Sequence, residues 1–157
     1  MNVEITGHAI HRFSRREVAE FVRKVMLALD RMERFTPPGM RDEIREISDV
    51  SIALVDDTAM QQLNKRFRRK NKTTDVLTFP ADDSYADPRA KGRPLGDIVI
   101  SVDQARRQAA NEKHALATEV RYLIVHGILH ALGYDHETDA GEMNALETEL
   151  RELIGLA

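Results

Sequence analysis

The sequence has 157 residues, of which 42% are hydrophobic and 31% are charged, and its formal net charge is −3 at pH 7. This length and composition favour one globular domain over 1–157, and the slightly negative charge argues against binding nucleic acid over the whole surface. The chain has no Cys, which excludes disulfides, cysteine nucleophiles and cysteine metal ligands. No apolar run approaches the roughly 18 residues of a membrane span, and no signal-peptide pattern precedes the first strand. We therefore expect a cytoplasmic protein without membrane contacts.

The chain begins with a predicted strand and an amphipathic helix. Val3 and Ile5 alternate with polar neighbours, which indicates a short strand. Ser14 and Glu17 have the spacing of a capping box, which predicts the start of a helix. The apolar residues of this helix recur with a period of 3.6 residues: Val18, Phe21, Val22, Val25, Met26 and Leu29. A break is predicted at 34–40, which contains the sequence Pro-Pro-Gly.

The middle of the chain is predicted to contain two strands with a helix between them. The apolar run 50–55 predicts a strand, and Asp56 follows it as a helix cap. Three apolar residues of the helix share one face: Met60, Leu63 and Phe67. The run 74–79 predicts the next strand, which Pro80 ends, and the stretch 81–94 predicts a long exposed loop.

The last third of the chain is predicted to be mainly helical. A strand at 98–100 precedes helices at about 102–112 and about 115–132, and a last helix begins near Thr138 or Asp139. The last helix turns four residues inward: Met143, Leu146, Leu150 and Leu153. About four strands and five helices predict an α/β fold (with α+β character), in which helices cover a single layer of mixed strands.

Three histidines stand in the pattern H-x-x-x-H-x-x-G-x-x-H, which is the spacing of a class of zinc proteases. On a helix, His126 and His130 project about 40° apart, so their rings can meet one ion. Gly133 is placed to end the helix, and the following turn can bring His136 back to the other two. Three neutral imidazoles with one open position are the ligands of a catalytic zinc ion. We therefore predict a zinc site with these three ligands and a water molecule.

Several residues near this pattern allow more than one interpretation. Asp135 can orient the ring of His136 or serve only as a turn residue. Glu119 lies two turns before His126 and can approach the metal pocket, but a solvated charge near the helix start is the simpler interpretation. Three histidines stand alone and are expected at the surface or as helix caps: His8, His11 and His114.

A basic stretch at 65–72 contains six basic residues in eight. It runs from the end of a helix into the loop before a strand, where cations also favour the helix dipole. Such a concentration of charge in an acidic protein favours a phosphate-bearing ligand or a nucleic acid over a merely solvated helix end. The candidate contacts are Lys65, Arg66, Arg68, Arg69, Lys70 and Lys72, and arginine is the stronger anchor because it binds phosphate bidentately.

The sequence resembles the YbeY-type bacterial endoribonucleases, which are zinc proteins of ribosomal RNA maturation. The resemblance is carried by Leu63-Asn64 with Phe67-Arg68, by Thr74 to Pro80, by Leu95 to Ile98 and, most specifically, by His126 to His136. Met143 and Glu147 near the end of the chain also fit the family pattern. Three residues depart from the usual pattern, which has Pro, Ser and Leu at these positions: Thr73, Thr78 and Ala131. The segment Arg31–Arg45 is longer than the usual spacer, and no role is assigned to it.

The resemblance implies the fold described above and a set of functional residues. Zinc would be bound by His126, His130 and His136, and Arg68 would be the catalytic arginine. The protein would be a single-strand-specific endoribonuclease that acts in ribosomal RNA 3′-end maturation and ribosome quality control. Its expected partners are single-stranded ribosomal RNA and ribosomal components.

Gly127 stands where zinc proteases carry the glutamate that accepts a proton from the attacking water. Loss of such a group costs roughly 10²–10⁴ in rate, whereas phosphodiester cleavage depends more on neutralising phosphoryl charge. We therefore expect metal-assisted phosphodiester cleavage, with either water or the RNA 2′-hydroxyl as nucleophile. Two alternatives stay open: a metallopeptidase that uses Glu119 or Asp135, and a non-catalytic, zinc-stabilised module that binds RNA or the ribosome.

Overall fold

A computed structural model describes residues 1–32, 40–82, 89, 91–135, 137 and 139–156. These residues form four strands and six helices. The strands are β1 (Asn2–Gly7), β2 (Ile47–Val55), β3 (Val76–Pro80) and β4 (Arg93–Ser101). The helices are α1 (Arg15–Arg31), α2 (Met40–Glu46), α3 (Asp57–Arg68), α4 (Val102–Glu112), α5 (Leu116–Ala131) and α6 (Glu142–Leu153). None of these helices is long and apolar enough to cross a membrane.

The four strands form one mixed sheet in the order β1-β2-β4-β3. β2 pairs in parallel with β1 and β4, and β3 lies antiparallel to β4 at the edge. The predicted α/β class, with one layer of mixed strands covered by helices, is confirmed. The described residues contain one helix more than expected, α2, which directly precedes β2.

The main core lies between the sheet and α5, which is apolar around most of its circumference. Ile98 on β4 and Ile124 and Ile128 on α5 are fully buried in it. A helix that is apolar on nearly all sides belongs in the centre of a domain. A smaller cluster covers the other face of the sheet beneath α3 and consists of Met60, Leu77 and Val99, with partly buried neighbours. The protein therefore holds α5 against β3 and β4, and this packing fixes the positions of its histidines.

Three predicted helix termini are confirmed, whereas α6 begins at Glu142 rather than near Thr138 or Asp139. The Ser14 hydroxyl accepts from the Glu17 amide at 3.2 Å, and the Glu17 carboxylate accepts from the Ser14 amide at 2.7 Å. Asp56 caps α3 by accepting from the Ala59 amide at 2.8 Å. Gly133 ends α5 with a φ of 101°, a conformation that favours glycine.

Some predicted boundaries and orientations were wrong. β4 begins at Arg93 rather than at 98, whereas β3 does end at Pro80, which is paired with Gly96. Proline is tolerated there because β3 is an edge strand. Leu153 is 59% exposed, since α6 ends there and Ile154 takes the buried position instead. The predicted break at 34–40 lies largely outside the described residues, which resume at Met40.

Candidate metal and phosphate site

Two histidines of α5 lie side by side, with their imidazole rings in contact. The Nε2 atoms of His126 and His130 are 3.0 Å apart, and their ring centroids are separated by 4.5 Å. This juxtaposition follows from the four-residue spacing, which places both side chains on one face of the helix. His136, the third predicted ligand, lies outside the described residues.

Gly127 lies where α5 contacts the sheet most closely. A Cβ atom at this position would come within 2.6 Å of Cγ2 of Ile98, a distance that real Cβ contacts do not reach. Any side chain at 127 would therefore enter the space that Ile98 occupies on β4. The glutamate of zinc proteases has no room at this position, and the glycine is required by the packing of the helix.

The opposite side of the site is formed by the end of α3 and by β3. Arg68 donates from Nη2 to the carbonyl oxygen of Thr78 at 2.9 Å. Its guanidinium carbon lies 5.9 Å from the ring centroid of Phe79. These contacts fix the direction of an otherwise exposed arginine.

Asn64 organises the basic loop that follows α3. It is buried, with 3% exposure, and its side-chain amide donates to the carbonyl oxygen of Lys72 at 2.9 Å. The backbone carbonyl oxygen of Asn64 accepts from the backbone amides of Arg69 and Lys70. Arg69 adopts a left-handed conformation, with φ of 57°, and ends the helix. The loop therefore turns back along α3 and brings both lysines to the site.

A cavity of about 630 Å³ lies between these two sides. Three basic residues of the 65–72 stretch line it: Arg68, Lys70 and Lys72. His126, His130 and Asp135 line it from the other side. The remaining predicted phosphate contacts, Lys65, Arg66 and Arg69, are exposed but are not among its lining residues. Three carboxylates also line the cavity: Asp75, Asp135 and Glu137. The side formed by Arg68, Lys70 and Lys72 carries the positive charge, and this side suits an anionic ligand.

A second cavity of about 510 Å³ lies behind His126. Glu119, 8% exposed, lines this cavity and not the first one. Its carboxylate is 2.5 Å from Nε2 of His114. The interpretation of Glu119 as a solvated charge was therefore wrong, and His114 is a half-buried partner of a carboxylate rather than an isolated surface residue. His8 and His11 are exposed, as expected.

Glu147 of α6 also lines the second cavity and faces His126. Its Oε2 is 3.6 Å from Nδ1 of His126, and its Oε1 accepts from Arg151 at 2.7 Å. Burial alone raises the pKa of Glu147, but the His126 ring and the Arg151 guanidinium outweigh it and hold the pKa below its ordinary value. Glu147 is therefore a buried anion against the ring of His126.

The histidine pair suits a metal ion. Two nitrogens bound to one tetrahedral zinc ion at about 2.0–2.1 Å lie roughly 3.3 Å apart, close to the 3.0 Å between His126 and His130. Among the residues that the structure describes, no group of three His, Asp or Glu side chains could hold a metal. The three-histidine site therefore depends on His136 and stays a prediction. Asp135 accepts from the Glu137 amide at 3.0 Å, as a turn residue does.

No role was predicted for Asn64 or Glu147, although the position of Glu147 in the sequence carried a detectable signal. Glu147 lies on the apolar stripe of α6, one turn after Met143 and next to Leu146, where a carboxylate is unexpected. Charged residues are seldom fully buried unless they are paired. A polar residue on the inward face of a predicted helix therefore indicates a specific partner.

Comparison with known proteins identifies the family. A sequence model of the family described as endoribonuclease YbeY matches residues 5–155. The endoribonuclease YbeY of Nautilia profundicola is 48% identical over 108 residues, which cover 69% of this chain and 73% of that protein. The endoribonuclease YbeY of Moorella thermoacetica is 45% identical over 117 residues, which cover 69% and 74%. The solution structure of a Thermotoga maritima protein, 24% identical, matches the fold over 98% of this chain and 89% of that chain, with a TM-score of 0.56. The chain therefore belongs to the endoribonuclease YbeY family.

Proposed function

We propose that this protein is a zinc-dependent endoribonuclease that cuts single-stranded ribosomal RNA during 3′-end maturation and ribosome quality control. The observation that carries the proposal is a single cavity with His126 and His130 on one side and Arg68, Lys70 and Lys72 on the other. Family membership supports the cleavage of RNA. The ribosomal substrate, ribosomal partners and cytoplasmic location follow from the family resemblance.

The zinc ion would be held by His126, His130 and His136. When bound, zinc lowers the pKa of a coordinated water molecule toward about 7 and stabilises negative charge on a phosphoryl group. The histidines must be neutral to bind it, and in a chain without cysteine imidazole is the side chain best suited to zinc.

Arg68 would bind the scissile phosphate. One of its five N–H donors is used on the Thr78 carbonyl, and this bond aims the guanidinium along the cavity. A fixed guanidinium can pair bidentately with phosphoryl oxygens and stabilise the charge that develops on them. It cannot act as a base, because it does not lose its proton in proteins. Lys70 and Lys72 would hold neighbouring phosphates through charge alone.

Phe67 supports a preference for single strands. Its ring is 53% exposed and packs edge-on against Phe79 with centroids 5.2 Å apart. The guanidinium carbon of Arg66 lies 5.3 Å from the Phe67 ring centroid. An exposed ring beside cations is a surface on which an unpaired base can stack. The sequence had suggested only that Phe67 shares the apolar face of α3.

The packing of α5 disfavours a peptidase. Position 127 is closed by Ile98, so the usual carboxylate of a zinc protease cannot be accommodated there. Glu119 lines the second cavity and contacts His114. Asp135 does line the first cavity, together with Asp75 and Glu137, and a peptidase mechanism would have to use one of these carboxylates.

The test compares zinc-loaded wild type, Arg68→Glu and His130→Ala on defined single-stranded and duplex RNA, with zinc quantified in each. Wild type should cut only the single strand. Arg68→Glu should retain zinc and fold but lose roughly 10²–10³ in cleavage rate, and His130→Ala should lose both zinc and cleavage. Arg16→Glu makes the same charge change on α1, where the side chain is 88% exposed, and should cleave normally.

Three results would contradict the proposal. Full RNA cleavage by Arg68→Glu would remove the arginine from the reaction. Casein cleavage that is lost in His130→Ala would indicate a peptidase. RNA binding that survives His126→Ala, without metal-dependent cleavage by the wild type, would indicate a non-catalytic module.

A further inference from the structure

We propose that Glu147, held by Arg151, is a positioning residue that orients the His126 ring for metal binding. This inference rests on the proposed zinc site, and it concerns two residues that line the second cavity and not the first. Neither residue belongs to the histidine pattern or to the basic stretch.

The two nitrogens of His126 face different partners. Nε2 lies 3.0 Å from Nε2 of His130, on the side where the metal would bind. Nδ1 lies 3.6 Å from Oε2 of Glu147, on the side of the second cavity. This distance is just beyond hydrogen-bonding range, so a small rotation of the ring or the carboxylate is enough to form the bond.

The Glu147 carboxylate is itself fixed on α6. It is 8% exposed, and Arg151, one turn later, donates to its other oxygen at 2.7 Å. The Arg151 guanidinium carbon in turn lies 4.4 Å from the ring centroid of Tyr122, whose hydroxyl donates to the Leu156 carbonyl at 2.8 Å. The carboxylate therefore faces His126 from a position held by α5, α6 and the residues after α6.

A carboxylate beside Nδ1 favours one tautomer of the neutral imidazole. A neutral histidine carries one N–H, and an anion beside Nδ1 favours the form with the proton there. Nε2 then presents its lone pair toward His130 and the metal. Partners of this kind also raise the basicity of a ligand histidine, and their loss typically weakens metal binding by roughly 10–100-fold.

The molecule contains a matched control for this arrangement. Glu119 is also 8% exposed, also pairs with a histidine and lines the same cavity. Its partner is His114 rather than a proposed ligand. Replacing either carboxylate by its amide therefore removes one buried charge from the same cavity, but only Glu147→Gln acts on His126.

The experiment measures zinc affinity by chelator competition, and the proton resonance of His126 Nδ1 in the zinc-loaded protein, for wild type, Glu147→Gln, Glu147→Asp and Glu119→Gln. Circular dichroism checks the fold of each variant. Glu147→Gln should weaken zinc binding by roughly 10–100-fold and move the Nδ1 proton upfield. Glu147→Asp keeps the negative charge but moves it away from His126, so the loss of zinc affinity should be smaller. Glu119→Gln should leave both quantities unchanged.

Wild-type zinc affinity and an unshifted Nδ1 resonance in Glu147→Gln would overturn the inference, as would an equal loss in Glu119→Gln. If Glu147→Gln does not fold, Glu147→Asp decides, and unchanged zinc affinity in that variant rejects the proposal. These readouts need no RNA. A wild-type protein that binds zinc but cuts no RNA would refute the proposed function alone.

Discussion

The two sides of the cavity are built in opposite ways. We call His126 and His130 the histidine wall, and Arg68, Lys70 and Lys72 the cationic wall. The histidine wall belongs to a helix packed on the sheet so closely that residue 127 has no side chain. The cationic wall consists of exposed side chains at a helix end and in the loop after it. The first is fixed by core packing, and the second by a few hydrogen bonds.

This difference fits the needs of the two ligands. A metal ion requires its nitrogens at set distances within a few tenths of an ångström, and the tightly packed helix α5 supplies such precision for two of the three proposed ligands. A phosphate backbone is held mainly by charge and tolerates movement of the cations. Mutations in the histidine wall should therefore act through stability and geometry, whereas those in the cationic wall should act through affinity.

The largest effect is expected at Gly127. Gly127→Glu should prevent folding, because the side chain cannot be placed against Ile98. Gly127→Ala should cost about 1–3 kcal/mol from overpacking, although alanine is favoured over glycine in a helix by about 1 kcal/mol. Urea denaturation measures the free energy of unfolding of each variant.

A double-mutant cycle identifies the cause of this effect. Ile98→Ala removes the side-chain atoms that a Cβ at 127 would meet. Gly127→Ala should therefore destabilise the Ile98→Ala background much less than the wild type. Strictly additive costs, or a Gly127→Ala variant more stable than wild type, would show that the helix is not held so close to the sheet.

The sequence predicted the histidine wall better than its surroundings. The pairing of His126 with His130 depends only on helix geometry, which the spacing fixes. The reason for Gly127 depends on its distance to β4, which no local pattern contains. Glu119 was misjudged because its position near a helix start suggested exposure, whereas α5 is buried along most of its length.

The predicted boundaries of strands were wrong where the local sequence pattern disagreed with the tertiary structure. The predicted loop 81–94 included Pro94, but Pro94 belongs to β4. A Cβ at Gly96 would lie 2.3 Å from the Phe79 carbonyl oxygen, so this glycine permits close strand pairing rather than a turn. The basic stretch was predicted as a unit, and only the turn around Asn64 selects which of its cations reach the cavity.

The cationic wall can be separated from the rest of the basic stretch by removing equal charge from each. Lys70→Ala with Lys72→Ala should lower affinity for an uncleavable single-stranded RNA on the order of tenfold near 0.15 M salt, and reduce the slope of log K against log salt by about 1.4. Binding titrations at several salt concentrations measure both. Lys65→Ala with Arg66→Ala changes two residues that do not line the cavity, so it should lower the affinity less. Equal losses of affinity in the two double variants would show that the cationic wall does not bind RNA more strongly than the rest of the basic stretch.

Phe67 offers single-stranded RNA a contact that does not depend on charge. Phe67→Ala should weaken single-stranded RNA binding by about 1–3 kcal/mol if one base stacks on the ring, and should leave the salt slope unchanged. Steady-state kinetics should show a higher KM with kcat nearly constant. Phe67→Leu controls for packing against Phe79, and a leucine variant that binds RNA like wild type would argue against stacking.

The smallest effect concerns Asp57, which attaches α3, and with it the cationic wall, to the sheet. Its carboxylate accepts from Ser101 at 2.9 Å, Thr73 at 3.1 Å and Arg107 at 2.6 Å. Partial burial raises the pKa of Asp57, but the bonds from Arg107, Ser101 and Thr73 outweigh it and hold the pKa below its ordinary value. A carboxyl group whose pKa is lower in the folded state stabilises the protein above its unfolded pKa of about 3.9. That contribution is lost as the pH falls through the lower, folded value.

Asp57→Asn should therefore cost under about 1 kcal/mol at neutral pH, since the group is one-third exposed and screened by solvent. The difference from wild type should shrink below about pH 4, because protonation then removes the same charge from the wild-type protein. Urea denaturation between pH 3 and pH 7 measures it. Glu20→Gln removes an exposed carboxylate paired with Arg16 on α1 and should change stability little across this range. A deficit in Asp57→Asn that stays constant with pH would mean that its charge does not attach α3 to the sheet. In that case the cationic wall would be held by other contacts, such as the hydrogen bonds of Asn64 with Lys72 and of Arg68 with Thr78.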